Sequence, residues 1–326
     1  MQPPISLAPM AGKTERDWRR IMRLITRESL LYTPMISAAA VLRGKRDRLL
    51  EFDPAERPLV LQLGWNEAAP LAECCKIAED YGYNGINLNC GCPSARVQRH
   101  KFGACMMANP EHVASLVDAM VNASDLDVSV KCRIGIRSKR GALSFETYEN
   151  LKRFVSLVSE AGCHRFTVHA RIAVLEGLSP KENRSIPPLR YEDVYRLKAD
   201  FPHLFIEING GFRNLASIDA ALLRVDGVML GRIALNNPYM LSRIDAFGRN
   251  ENPPSRRDIF EMAAPYIVRR AKQGVPRGAL IAPLLNLYRG QPGARRTRRL
   301  LNQALSCSPG DFARLLEVIP HRIPCS

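Results

Sequence analysis

The chain lacks the features that would place it in several large protein classes. No apolar run reaches the roughly 20 residues that a membrane-spanning helix needs. The opening Met1-Gln2-Pro3-Pro4-Ile5 carries neither a basic leader nor an apolar core. The expectation is a protein that neither crosses a membrane nor enters a secretory route. Nine cysteines are present, but no two stand in the Cys-x-x-Cys spacing of a structural zinc site, so no metal is expected. Their odd number and irregular spacing predict reduced thiols and a cytoplasmic location. There is no low-complexity tract and no strong helical repeat. The first apolar run is not followed by Gly-x-Gly-x-x-Gly, which argues against a dinucleotide-binding open sheet. Acid is scarce: 32 Asp and Glu face 47 Lys and Arg, a formal charge of +15. Such a surplus attracts polyanions, of which nucleic acid is the commonest. It is concentrated at the end of the chain, where residues 255–326 hold thirteen Lys or Arg against four Asp or Glu. Clustering of this kind marks a binding face more than a solubilising surface.

What is present is a recurring unit, a short apolar run followed by a helical pattern. The runs are Ile5–Met10, Leu30–Met35, Pro58–Leu63, Gly85–Asn89, Asp127–Lys131, Arg165–His169, Leu204–Asn209 and Gly227–Leu230. They read as strands buried on both faces, without polar–apolar alternation, as in a parallel sheet. Helical patterns follow at Glu67–Tyr81, Pro110–Asn122, Phe145–Ala161, Tyr191–Asp200 and Leu215–Leu222. Eight such units predict an α/β protein, a TIM (β/α)8 barrel, with a doubly wound sheet as the alternative. The pattern stops at the polar, Pro-rich Asn250–Pro254. Beyond it only helical periodicity remains, at Arg256–Gln273, Leu280–Tyr288, Ala294–Ala304 and Gly310–Val318. The expected division is a barrel over residues 1–245 and a small, basic, all-helical domain over 255–326.

Barrel enzymes keep their chemistry where the strands end. Here the ends carry Pro9 and Met10, Gln62, Asn89, Lys131, His169, Asn209-Gly210-Gly211 and Gly231-Arg232. Glycines after the last two strands expose backbone N–H groups where the fold places phosphate, and Arg232 adds a cationic fork. Amides, a lysine and an imidazole from the middle strands suit the polar edge of a planar heterocycle, and FMN fits that pattern. The fourth run ends in Asn87-Leu88-Asn89-Cys90-Gly91-Cys92-Pro93-Ser94, and the loop beyond it brings Cys105 between Ala104 and Met106. A free cysteine is most often a packed core residue. One set among small residues on such a loop is sterically open enough to react.

On these residues the chain resembles the tRNA-dihydrouridine synthases, and their A subfamily in particular. The matching stretches are Leu7–Met10, Gln62–Gly64, Asn87–Ser94, Phe102–Cys105, Val130-Lys131, His169–Arg171, Ile208–Gly211 and Asp226–Arg232. The most specific is Gly177-Leu178-Ser179-Pro180-Lys181-Glu182-Asn183-Arg184 with Ile186–Leu189. The resemblance implies an FMN-dependent barrel with a helical tRNA-binding domain, and NADPH-driven reduction of D-loop uridines 20 and 20a. By motif match, Pro9, Met10, Gln62, Lys131, His169, Asn209, Gly210, Gly211, Gly231 and Arg232 would hold FMN. Asn89, Phe102, Lys181, Arg184, Arg295 and Arg298 would meet tRNA, and Cys105 would be the proton donor. No obligate protein partner is implied. Trp65, His100, Phe212 and Leu235 depart from the usual pattern without touching a proposed catalytic side chain.

The chemistry is readable from the residues as well. A uracil C5=C6 bond accepts hydride at C6 from reduced flavin, and a thiol still protonated can supply the proton at C5. Two other readings stay open. A flavin barrel acting on a free pyrimidine shares the site but leaves the basic tail unexplained. A non-catalytic RNA-binding protein accounts for the tail but not for the strand-end set.

Overall fold

The computed structural model describes residues 4–138 and 144–319. Eight strands coincide with the eight apolar runs: β1 (Ile5–Leu7), β2 (Leu31–Tyr32), β3 (Leu59–Gly64), β4 (Gly85–Cys90), β5 (Val128–Arg133), β6 (Arg165–His169), β7 (Phe205–Asn209) and β8 (Gly227–Leu230). Each pairs in parallel with its neighbour in sequence from β3 round to β8, which pairs with β1. β2 pairs with β3, and a bridge between Ser6 and Leu30 brings the other edge to β1. The result is a nearly closed (β/α)8 barrel. The first two strands are shorter than their apolar runs because proline intervenes. Pro9 cannot donate to a ladder, and Pro34 interrupts the second run before pairing with β3 resumes at Ile36–Ser37.

The strand reading needs one correction. The strands do alternate: β4 reads Gly-Ile-Asn-Leu-Asn-Cys and β6 reads Arg-Phe-Thr-Val-His. Ile86, Leu88, Val130, Phe166, Val168, Ile206 and Ile208 are fully buried. The residues between them, Asn87, Ser129, Thr167 and Glu207, are buried too and bond to one another across neighbouring strands. Both faces are buried as expected, but one of them is polar.

Between β1 and β2 lies α1 (Arg16–Ile25), which the sequence reading passed over although Trp18, Ile21, Met22 and Ile25 mark one buried face. Then come α2 (Ala68–Asp80), α3 (Pro110–Val121), α4 (Tyr148–Glu160), α5 (Tyr191–Asp200) and α6 (Leu215–Leu222), each joining two barrel strands. Asn109 and Asn214 cap α3 and α6, and Thr147 with Asn150 forms a capping box on α4. After β8 follow α7 (Arg232–Asn236), α8 (Tyr239–Arg249), α9 (Arg256–Lys272), α10 (Arg277–Ile281), α11 (Ala294–Gln303) and α12 (Pro309–Val318). The helix expected over Leu280–Tyr288 ends at Ile281, two residues before Pro283.

Two compact units result. One comprises residues 1–12, 30–52 and 57–230; the other comprises 13–29, 53–56 and 231–326. The grouping does not follow the Pro-rich linker, because α1 belongs with the C-terminal helices. In that second unit Asp17 on α1 accepts bonds from Tyr266 (2.6 Å) and Arg270 (2.5 Å) on α9. Asp245 on α8 accepts from the Arg27 backbone at 2.6 Å. Arg19, itself on α1, is paired with buried Glu56 at 2.7 Å.

Candidate active site

Three neighbouring barrel strands carry an amide network toward their C-terminal ends. Gln62 of β3 donates to Asn87 of β4 at 2.7 Å and accepts from Asn89 at 2.9 Å. Asn87 donates on to Ser129 of β5 at 2.9 Å. Adjacent to it, Lys131 of β5 donates to Asn209 of β7 at 3.2 Å, and Asn209 donates to the Met229 carbonyl of β8 at 2.7 Å. The register puts Lys131 opposite Asn89 and His169 opposite Asn209. The structure therefore brings together Gln62, Asn89, Lys131, His169 and Asn209. Pro9 and Met10 follow β1 and are half-buried.

Lys131 is the electrostatic centre of this set. Burial, with the nearby Arg133 cation, pulls its ammonium down to about 8. It is therefore mostly charged at neutral pH but titrates just above it.

Gly210 and Gly211 follow β7 with φ of +117° and +81°, where a side chain is strained. A Cβ on Gly210 would stand 3.0 Å from the His169 ring. One on Gly211 would stand 2.5 Å from Leu189 and 2.7 Å from the Tyr191 hydroxyl. That hydroxyl donates to the Gly210 carbonyl at 2.6 Å. Glycine is needed here twice over, by backbone conformation and by close approach. Gly231 and Arg232 stand directly after β8, with Gly231 capping α7; they belong to the second compact unit.

The loop after β4 is held in place by its own amides. The Asn89 side-chain oxygen, Oδ1, accepts from the Gly91 and Cys92 backbone N–H groups at 3.1 and 3.0 Å. Asn89 thus shapes the turn as well as meeting Gln62. A short helix, Ala95–Arg99, follows, and then a 3-10 segment over Gly103–Ala108. The Ala104 N–H donates to the Cys92 carbonyl at 2.9 Å, which fixes the residue before Cys105. Cys105 is half-buried, and its thiol donates to the Phe102 carbonyl at 3.2 Å. Burial pushes this thiol up, so it stays protonated at neutral pH. Cys74, Cys75, Cys90, Cys132 and Cys163 are fully buried. Cys92 and Cys307 are half-buried, and Cys325 lies outside the described residues. The Phe102 ring is 5% exposed and packs near Trp65, with ring centroids 6.1 Å apart. What Phe102 offers the thiol is its backbone carbonyl.

Sequence reasoning missed Arg133 and Asn183. Buried Arg133 donates to the carbonyls of Gly91 (3.1 Å), Ile172 (3.4 Å) and Asn183 (3.0 Å). Fully buried Asn183 bonds Val174 in both directions, at 2.8 and 2.9 Å, and so braces the segment that leaves Lys181 and Arg184 exposed. The signal for Asn183 was available: a polar residue between Lys181 and Arg184 in the most specific motif. In the second unit, Arg295, Arg298 and Arg299 of α11 line an open depression of about 520 Å³ with Asn302, Gln303 and Ser306. Arg298 is anchored by a 2.7 Å bond to Asn286. Among the described residues, no group of three or more His, Cys, Asp and Glu is placed to hold a metal. No described helix is long and apolar enough to cross a membrane.

A parallel barrel whose strand ends converge amides, a lysine and an imidazole, with a half-buried thiol on a loop leaving one of those ends, has the architecture of a barrel enzyme. The fold is similar to a morphinone reductase structure solved with tetrahydroNAD, at a TM-score of 0.51 and 11% identity over 77% of this chain and 88% of that one. The family profile described as Dihydrouridine synthase (Dus) matches residues 6–316. Similar curated proteins include the tRNA-dihydrouridine(20/20a) synthases of Synechocystis sp., 50% identical over 92% of this chain and 89% of that protein, and of Vibrio parahaemolyticus, 45% identical over 98% and 97%. That of Pseudomonas aeruginosa is 48% identical over 91% and 88%. The chain belongs to the dihydrouridine synthase family. It is accordingly an enzyme, an oxidoreductase.

Proposed function

We propose that the protein is an FMN-dependent tRNA-dihydrouridine synthase that uses NADPH to reduce D-loop uridines 20 and 20a. The observation that carries this reading is the convergence of the Gln62–Asn89 amides, Lys131 and the Gly210-Gly211 pair at the barrel strand ends, with the protonated Cys105 thiol on the loop that leaves β4. These residues fit the cofactor. Gln62 and Lys131 offer donors to the polar edge of an isoalloxazine ring, His169 lies against Gly210, and glycine backbones leave room for a phosphate. When bound and reduced, the flavin supplies hydride to C6 of the uracil.

The chain's own residues do the rest. Cys105 delivers its proton to C5, and its depth keeps that proton in place until it is needed. Asn89 holds the turn from which the Cys105 loop departs. Lys181 and Arg184 on the barrel unit, and Arg295 and Arg298 on the helical unit, take tRNA phosphates. A stacked uridine must be turned out of the tRNA to reach a barrel mouth, and phosphate contacts hold the tRNA while that happens. The test is direct. The FMN-loaded protein with NADPH should convert uridine to dihydrouridine at positions 20 and 20a of an unmodified tRNA transcript. Turnover of free uracil in preference to tRNA would favour the free-pyrimidine reading instead.

Lys131 gives a pH signature. Its charge is needed to meet an electron-rich ring edge, and it loses that charge as pH rises through about 8. FMN affinity of the apoprotein should be constant on the acid side of that value and fall on the alkaline side. Lys131→Met should bind more weakly and show no such fall. Fluorescence titration of FMN against apoprotein across pH measures both, and a wild-type curve no steeper than that of the variant would remove Lys131 from the flavin site.

A further inference from the structure

The exposed Lys181 and Arg184 and the buried side of the Cys105 loop are joined by one run of hydrogen bonds. Asn183, between the two cations, passes its carbonyl to Arg133 (3.0 Å), and Arg133 also holds the Gly91 carbonyl (3.1 Å). Gly91 adjoins Cys92, whose carbonyl accepts from Ala104, the neighbour of Cys105. A second tie runs parallel. Gln98, on the short helix of the same loop, donates from its amide nitrogen to both Pro93 and Leu175 carbonyls, each at 2.8 Å. Leu175 belongs to the segment that Asn183 braces, one residue after its partner Val174. The strand ends alone do not require either tie. Arg133 is 5% exposed and points a planar fork at three carbonyls from three separate stretches of chain. A lysine in its place has one nitrogen and cannot reproduce that fork.

We propose that Arg133, together with Gln98, is a positioning element that sets the Cys105 loop from the segment carrying Lys181 and Arg184, so that tRNA seated on those cations fixes the proton donor. Neither side chain touches substrate in this assignment; both act through the loop. A misplacement of the donor on the order of 1 Å costs up to about 100-fold in rate, so a loosened brace lowers kcat more than it changes KM for tRNA.

The experiment uses the FMN-loaded full chain. Wild type, Arg133→Lys and Gln98→Ala are exposed to iodoacetamide, and labelling of each cysteine is followed by peptide mass spectrometry. Cys105 should label at least about threefold faster in both variants through local loosening, with Cys90, Cys132 and Cys163 still protected. In steady-state turnover of tRNA, kcat should fall about 10- to 100-fold in Arg133→Lys. The kcat loss from Lys181→Ala should shrink in that background, because coupled residues are not additive. If Arg133→Lys labels the buried cysteines too, Gln98→Ala decides, and an unchanged Cys105 rate there overturns the proposal. So does a fully additive Lys181→Ala effect. The coupling to tRNA rests on the function proposed above, but the labelling does not. Faster Cys105 labelling in a protein that never turns over tRNA would keep the brace and reject the substrate.

Discussion

Cys105→Ala is expected to slow uridine reduction by at least about a hundredfold while leaving the flavin bound and reducible. Removing a general acid typically costs about 10²–10⁴ in rate. The geometry says why the loss should be confined to that step. The Cys105 thiol donates to the Phe102 carbonyl at 3.2 Å, meets the backbone N–H groups of Cys105 and Met106, and is half-buried. Alanine therefore removes little packing and leaves the Ala104–Cys92 backbone bond that shapes the loop. The amides that would meet the flavin, from Gln62 to Asn209, are untouched. The measurement is single-turnover reoxidation of the NADPH-reduced enzyme by unmodified tRNA, followed by flavin absorbance. Near-wild-type reoxidation in Cys105→Ala would require another acid. An equal loss in Cys92→Ala with flavin retained would point to the second half-buried thiol of the same loop. Cys90 and Cys132 are poor rivals, since both are fully buried and burial holds their thiols well above the usual range.

The largest expected effect on stability is at Glu207, deep in the barrel. Its carboxylate is fully buried, accepts from Arg165 at 3.1 Å and from the Thr167 hydroxyl at 2.5 Å. Arg165 is 8% exposed, with its guanidinium 4.2 Å from the centroid of the Phe205 ring. Glu207→Leu leaves that cation buried without its carboxylate, which should cost about 3–5 kcal/mol. The double variant Arg165→Met with Glu207→Leu should recover most of the loss, because replacing a whole buried pair by apolar groups of similar size is close to neutral. Denaturant midpoints of the apoproteins test both. A single variant within about 1 kcal/mol of wild type would mean the barrel interior tolerates an unpaired charge, and a double variant no better than the single would assign the loss to something other than that charge.

The sequence by itself determined the barrel, because eight apolar runs separated by helical stretches leave few other ways to bury so many strands. It also pointed to one end of the barrel for the proposed site, since polar residues at the ends of parallel strands face one mouth. The placement of Gln62, Lys131 and the Gly210-Gly211 pair was legible for local reasons, strand-end position and a backbone that only glycine adopts, and small neighbours marked Cys105 as the candidate acid. The helices with strong punctuation were legible too; Tyr191–Asp200 and Leu215–Leu222 stand at the expected residues. What only the tertiary structure decided involves partners far apart in the chain. The amphipathic stripe of α1 was visible, but nothing local says that Asp17 meets Tyr266 and Arg270, about 250 residues away. The alternation inside the strands was hidden because a barrel's inner face is as buried as its outer one, so polar residues there look out of place until Asn87, Ser129, Thr167 and Glu207 find one another across strands. Arg133 is the clearest case. As a sequence it is one more cation beside a proposed flavin lysine, and only the fold brings three carbonyls from separate loops within reach of its fork.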